Sequence, residues 1–343
     1  MRMLIGLFAL LLVFGCIGNG EEKPPEPVVN ETNVTEKPPP VTIIIEEQKN
    51  QTREEQVPEK PPEQNVTVEE TTEIQYTYDP NQTMGIYFID VAGPKIHGNS
   101  VLIKRGDLDI LIDAGSEEYG GEVVDFLKSR EVDDIDLLIS SNADPRHYGG
   151  IQEVFDNFEI EHFWWTGSTF ADTEYIELTD DIKESVKEHR IVEKGYSTEL
   201  NDIEIKILNP PAQRFDDINN DAIVTKVTDG NFTVLITSGI QKGAVQKLAN
   251  EQAKEIKCMV IQAPYFGTGE GTRDIGLFLL TADPETMIIT GSADDSPENG
   301  GSREPFERLL AQYGIDSYKT YELGSLRITT DGNEYVIQAV STD

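Results

Sequence analysis

A short apolar run, Ile135-Asp136-Leu137-Leu138-Ile139, stops abruptly in the polar loop Ser140-Ser141-Asn142-Ala143-Asp144-Pro145-Arg146-His147-Tyr148-Gly149-Gly150. The run has the length and branched content of a buried strand, and the glycine pair leads into a helical pattern over 150–157. The same alternation fills the chain from Met84 onward. β-rich runs at 86–90, 100–104 and 109–113 come first. A helical period over 121–130 follows, with Val123, Val124, Phe126 and Leu127 on its inner face. Further strands are predicted at 203–208, 222–228, 232–238, 257–261 and 286–290, helices at 241–254 and 303–313, and a last β-rich segment at 318–340. His162 falls at a strand end, and His189 in a charged helix over 181–190. No internal repeat is evident. This order predicts two sheets packed together with helices outside.

The region before Met84 cannot bury a core. Met1-Arg2-Met3 is a positive start, 4–14 is an apolar stretch too short to span a bilayer, and Val13-Phe14-Gly15-Cys16 resembles a lipobox. The expectation is a lipoprotein signal peptide over 1–15, Cys16 acylated, and a chain anchored to the outer face of the cytoplasmic membrane at the cell surface. Residues 16–83 read as a disordered, Pro/Glu/Thr-rich stalk. It carries five Asn-x-Thr sequons, at Asn30, Asn33, Asn50, Asn65 and Asn81, which make glycosylation an expectation. A sixth begins at Asn231, between two strand-like runs. The other cysteine, Cys258, reads as a buried strand residue, so the fold stands on its apolar core. The formal charge of −35, from 63 acidic and 28 basic residues, sets composition against nucleic-acid binding.

The serial order of several motifs over 84–340 resembles the metallo-β-lactamase fold. More narrowly, it resembles the soluble hydrolase-like domain of the competence protein ComEC family. Tyr87-Phe88-Ile89-Asp90-Val91 is similar to that family's opening Phe-Ile-Asp-Val-Gly, and Gly98-Asn99-Ser100-Val101-Leu102-Ile103 to its Gly-Asp-Ser-Ile-Leu-Ile. Ile110-Leu111-Ile112-Asp113-Ala114-Gly115, Asn219-Asn220-Asp221-Ala222-Ile223-Val224 and Leu235-Ile236-Thr237-Ser238-Gly239-Ile240 follow in family order. The resemblance implies an α/β fold, an αββα sandwich of two packed mixed β-sheets with helices on the outer faces, forming one domain over 84–343.

It also implies a binuclear zinc site built on His-x-His-x-Asp-His-x-Gly-Gly, and here most ligand positions are altered. Asn142 replaces the first imidazole, Asp144 the second, and Arg146 the carboxylate, while His147 is kept. Gly239 stands where a bridging aspartate is expected, and Tyr265 and Phe266 occupy the paired-histidine position. A permanent guanidinium where a cation should sit opposes metal binding. The expected alternative to dications is a salt-bridge network in which Arg146 pairs with Asp144, Asp113 or Asp90. The positions Asn142, Asp144, Arg146, His147, Gly239, Tyr265 and Phe266 therefore read as vestigial. No cofactor is expected. Asp144 and His147 are the catalytic candidates that remain, and Asp113, Asp144 and His147 around one divalent metal, zinc or another, form the rebuilt-site alternative.

Other features are less specific. His97 lies in an inserted loop and reads as solvated or as approaching the old cleft. Phe163, Trp164, Trp165 and Tyr148 either line the mouth of that cleft or pack in the core. The glycine-rich 265–271 lacks the Lys-Ser/Thr ending of a phosphate loop. Ser140, Ser141, His147 and Asp144 cluster in sequence without a Gly-x-Ser-x-Gly elbow. The leading expectation is a surface-anchored protein that binds an extracellular ligand or protein partner through the altered cleft. The alternative is an active phosphodiester or ester hydrolase with one metal.

Overall fold

The computed structural model describes residues 83–93, 97–168, 171–268, 272–294 and 302–341. Contacts divide the chain into Met1–Pro40 and Val41–Asp343, and the described residues all belong to the second unit. The signal segment, Cys16, and the sequons at Asn30, Asn33, Asn50, Asn65 and Asn81 lie outside them. Among the described residues no helix is long and apolar enough to cross a membrane.

The first sheet is built from β1 (Met84–Phe88), β2 (Val101–Arg105), β3 (Leu108–Ile112), β4 (Ile135–Ser140), β5 (Ile160–Trp165) and β6 (Glu188–Ile191), joined by β14 (Ser325–Thr330) and β15 (Tyr335–Val340). The second takes β7 (Ser197–Leu200), β8 (Ile203–Asn209), β9 (Val224–Asp229), β10 (Phe232–Ile236), β11 (Val260–Gln262), β12 (Thr286–Ile289) and β13 (Asp316–Lys319). The strand orders are β15-β14-β1-β2-β3-β4-β5-β6 and β13-β12-β11-β10-β9-β8-β7. Each sheet is antiparallel in one half and parallel in the other. The change falls at β3 in the first and at β10 in the second. Parallel neighbours need crossovers, and helices supply them. In the first sheet these are α1 (Gly120–Ser129), α2 (Pro145–Tyr148), α3 (Ile151–Asn157) and α4 (Thr173–Ser185). In the second they are α5 (Lys242–Glu251), α6 (Thr272–Ala282) and α7 (Glu304–Tyr313), followed by the short α8 (Thr320–Leu323).

Three apolar layers follow from strand alternation. Ile86, Phe88, Ile110, Ile112 and Ile139 face Ile205, Ile207, Val234, Ile236 and Val260 between the sheets. Leu102, Leu111 and Leu138 point the other way, under Val123, Phe126, Leu127 and Ile151. Leu235, Ile261 and Met287 do the same beneath Val245, Leu248 and Phe278. Both faces of the central strands are covered, which is why their sequences read as unbroken apolar runs. The two mixed sheets with outer helices are the predicted αββα sandwich.

Several local expectations are corrected. The charged stretch over 181–190 is not one helix: α4 stops at Ser185, Val186 turns extended, and His189 lies on β6, paired with Phe163 of β5. All four β6 residues are exposed, so the charges there suit a solvated sheet edge. His162 sits inside β5 rather than at its end, its Nδ1 2.9 Å from the Asp136 carbonyl. Cys258 is buried but precedes β11, its N–H bonded to the Ala282 carbonyl. The helix α6 had no expectation, because a glycine-rich segment precedes it. Trp164 packs between the sheets, edge-on to Tyr196, and Trp165 lies beneath the Lys183 ammonium.

Candidate functional site

The described polar loops gather at one end of the sandwich, past the carboxyl ends of β3, β4, β10, β11 and β12. Crevices at that end of parallel strands are the usual ligand position in α/β folds. Asp113 leaves β3 with φ of 60°, a left-handed backbone in a residue with a Cβ. Its carboxylate is fully buried and receives four hydrogen bonds. Ser141 donates twice, from N–H at 2.7 Å and Oγ at 2.6 Å, Asn99 Nδ2 donates at 2.8 Å, and His147 Nδ1 at 2.7 Å. An acceptor-only carboxylate places a proton on Nδ1, which leaves His147 Nε2 as the ring nitrogen facing away from Asp113. That nitrogen is buried and has no hydrogen-bond partner.

The network continues across both sheets. Gln262, at the end of β11, donates to Asn99 Oδ1 at 2.5 Å and accepts from the Ser238 N–H at 3.0 Å. Asn99 thus hands the alignment of Asp113 over to the second sheet. The loop before β9 joins the same cluster. Ile223 N–H bonds the Ser141 carbonyl at 2.8 Å, and Asn142 Nδ2 reaches Asn219 Oδ1 at 3.3 Å. The glycine pair has a steric cause: a Cβ on Gly150 would lie 2.1 Å from the Ala114 carbonyl oxygen, so the loop closes only with hydrogen there.

Asp144 caps α2, with Pro145 at the first helical position, an arrangement both residues favour. Its carboxylate takes Arg146 three ways, from N–H and Nε at 2.9 Å and from a terminal nitrogen at 2.5 Å. Arg146 also donates to Tyr265 Oη at 3.3 Å and lies 5.1 Å and 5.3 Å from the Tyr265 and Phe266 ring centres. Burial pushes the Asp144 carboxyl up; the Arg146 hydrogen bond and the His147 and Arg146 charges outweigh it and hold the group at about 2. A carboxyl lowered in the folded state stabilises above its unfolded value and loses that contribution as pH falls toward 2. The contribution is about 2 kcal/mol. Arg146→Leu is therefore expected to lower the urea midpoint at pH 6 and to lose most of that deficit by pH 2.5. A deficit that does not change with pH would place the effect elsewhere than in this pair.

The structure thus brings Asn142, Arg146, His147, Gly239, Tyr265 and Phe266 together around Asp113 and Asp144. Sequence reading singled out none of Asn99, Gln262, Asn219 and Ser238 as site residues, although all four sit in runs similar to family motifs. His97 is not solvated but fully buried, stacked on Phe266 at 4.9 Å, its Nδ1 accepting from the Ser292 N–H at 2.9 Å. Tyr148 donates to both Asp172 oxygens at 2.9 Å, beside α4. Residues 269–271 of the glycine-rich segment lie outside the described residues.

A pair of zinc ions does not fit this donor set. His147 offers one imidazole. Asp113 is turned to the far side of that ring with its lone pairs in use, and Asp144 is held by Arg146. Gly239 brings no carboxylate, and a Cβ there would meet Asn142 Nδ2 at 2.7 Å and His147 Nε2 at 3.2 Å. Among the described residues no three His, Cys, Asp or Glu side chains gather where they would hold a metal.

The layering and the strand order give the αββα sandwich implied by the resemblance to the metallo-β-lactamase fold. No family model matches the chain. It is 20% identical over 208 residues to ComE operon protein 3 of Bacillus subtilis (strain 168), covering 60% of this chain and 26% of that protein. The chain spans about a quarter of the length of this curated relative. Among solved structures, it is similar to the metallo-β-lactamase fold protein YhfI from Bacillus subtilis, at TM-score 0.48 and 12% identity over 69% of this chain and 96% of that one. It is also similar to Igni18, a metallo hydrolase from the archaeon Ignicoccus hospitalis KIN4/I, at TM-score 0.46 and 12% identity over 75% and 100%.

Proposed function

We propose that this chain is a lipid-anchored, extracytoplasmic protein of the metallo-β-lactamase fold, ComEC-like in sequence, that binds a ligand or partner at the altered cleft and does not run binuclear zinc hydrolysis. The observation that carries the proposal is the closed pairing at the ligand positions. Arg146 is bonded to Asp144 and stacked on Tyr265 and Phe266, and a bare glycine stands at position 239. A guanidinium so held is a standing obstacle to a dication. The anchor rests on the lipobox-like Val13-Phe14-Gly15-Cys16 and the stalk composition. The acidity of the chain speaks against a nucleic-acid ligand.

One preparation tests the anchor and the loss of binuclear zinc chemistry. The full chain, extracted by detergent from membranes and released to the medium by Cys16→Ser, is expected to carry well under one zinc ion per polypeptide by plasma mass spectrometry. With zinc, manganese or magnesium added, it is expected to show no turnover of phosphodiester, ester or lactam substrates. Two firmly held zinc ions per chain would sink the proposal. So would metal-dependent turnover abolished by His147→Ala.

A further inference from the structure

Three of the four sheet edges guard themselves. β6, β7 and β13 are four residues long, and each carries a charged side chain, the usual defence of an exposed strand. β15 does not. Its sequence, Tyr335-Val336-Ile337-Gln338-Ala339-Val340, has no charge and no proline. It pairs with β14 in one unbroken register over all six residues. Among the described residues no strand lies on its other side. Tyr335, Ile337 and Ala339 face the layer between the sheets, and Tyr335 and Ala339 are only partly covered there. Such an edge is a template for one more strand.

The chain ahead of Thr83 lies outside the described residues, and its sequence offers the occupant. Ile74, Tyr76 and Tyr78 alternate with Glu73, Gln75 and Thr77, a two-residue period in β-favouring residues. The connection fits as well. β15 runs parallel to β1, because both are antiparallel to β14, and Met84 and Tyr335 begin these strands at the same end, each opposite Thr330. A strand beyond β15 is three strand spacings from β1, about 14 Å. The five residues 79–83 reach roughly 17 Å when extended, and Asp79-Pro80-Asn81 is turn chemistry. We infer that residues 73–78 dock on β15 as an antiparallel edge strand, with Tyr78 opposite Tyr335, Tyr76 opposite Ile337 and Ile74 opposite Ala339. That register sets Ile74 and the two tyrosine rings on the face that closes the inter-sheet layer, in aromatic and branched cross-strand pairs. It also moves the tether. Glu73 comes to lie beside Val340, at the end of the sheet where Ser325 bonds Asp90 and the polar loops begin. The chain toward Cys16 then departs beside the cleft, and not from the opposite end, where β1 starts.

The full chain carrying Cys16→Ser keeps Cys258 as its one cysteine, and that thiol is buried. Thr77→Cys with Val336→Cys puts a new pair directly opposite in the inferred register. Opposite residues of antiparallel strands stand about 4.5–5.5 Å apart at Cα, within disulfide range, whereas Thr77→Cys with Val340→Cys is roughly 13 Å out of register. Under mild oxidation the first pair is expected to link within one chain, read as a joined 77–336 peptide by mass spectrometry, at least roughly tenfold faster than the second. A second measurement leaves β15 unaltered. Ile74→Asp with Tyr76→Asp is expected to speed amide hydrogen exchange over 335–340 by at least roughly tenfold, with the other strands unchanged. Equal linking of the two pairs, or faster linking of the second, overturns the inference. So does a disulfide that joins two chains, which would give the edge to a second copy, and so does unchanged exchange over 335–340. None of these results depends on the cleft, its ligand or its zinc content.

Discussion

Asp113→Ala is expected to lower the stability of the domain by about 4 kcal/mol, enough to cut its melting temperature by roughly 10 °C. The substitution removes a carboxylate that accepts from Ser141 N–H, Ser141 Oγ, Asn99 Nδ2 and His147 Nδ1. All four donors are then left in a dry interior. Each unpaired donor costs about 1–3 kcal/mol, and because the losses share one cavity they do not add in full. Asp113→Asn should fall between the two, since its amide oxygen still accepts while its nitrogen now faces other donors. Urea unfolding of the three proteins checks the order. If Asp113→Ala costs less than about 1 kcal/mol, the carboxylate is not the hub of the site.

Gly239→Asp is expected to cost about 3 kcal/mol, and added zinc is not expected to recover it. In a zinc hydrolase frame this change would supply the missing bridging carboxylate. Here the new Cβ meets Asn142 Nδ2 at 2.7 Å and Asn219 Oδ1 at 3.1 Å, so the space has been taken by side chains. Clearing it with Asn142→Ala in the same chain should return 1–2 kcal/mol, as coupled neighbours do. Thermal melts with and without zinc separate the outcomes. A melting temperature raised strongly by zinc in Gly239→Asp would mean that the remaining donors still form a metal site.

Most of the fold was legible because both faces of the central strands are buried. Runs such as Ile110-Leu111-Ile112 and Leu137-Leu138-Ile139 carry that signal directly. The edge strands β6 and β7 were not legible. Strand β6 is short, exposed and charged, and in sequence it is indistinguishable from the end of the helix before it. Of the site, the loop over 140–150 announced itself by its glycines and its single histidine. The members that bind it together did not. Asn99 and Gln262 act by reaching across from one sheet to the other, and no local pattern encodes a contact between residues 163 positions apart. Ser238 hid for another reason. Its left-handed backbone is a demand of the surrounding turn, and the sequence there shows only a small residue before a glycine.

At the end of the sandwich away from the polar loops, Arg105 closes β2 and Asp229 closes β9, and their side chains are bonded to each other across the sheets. Arg105 also exchanges hydrogen bonds with the backbone and side chain of Asn201. The two leaves are therefore bound like a book at its spine, and the polar loops lie at the fore-edge. A chain so stitched can rewrite the loops on its open margin repeatedly and still shut to the same thickness.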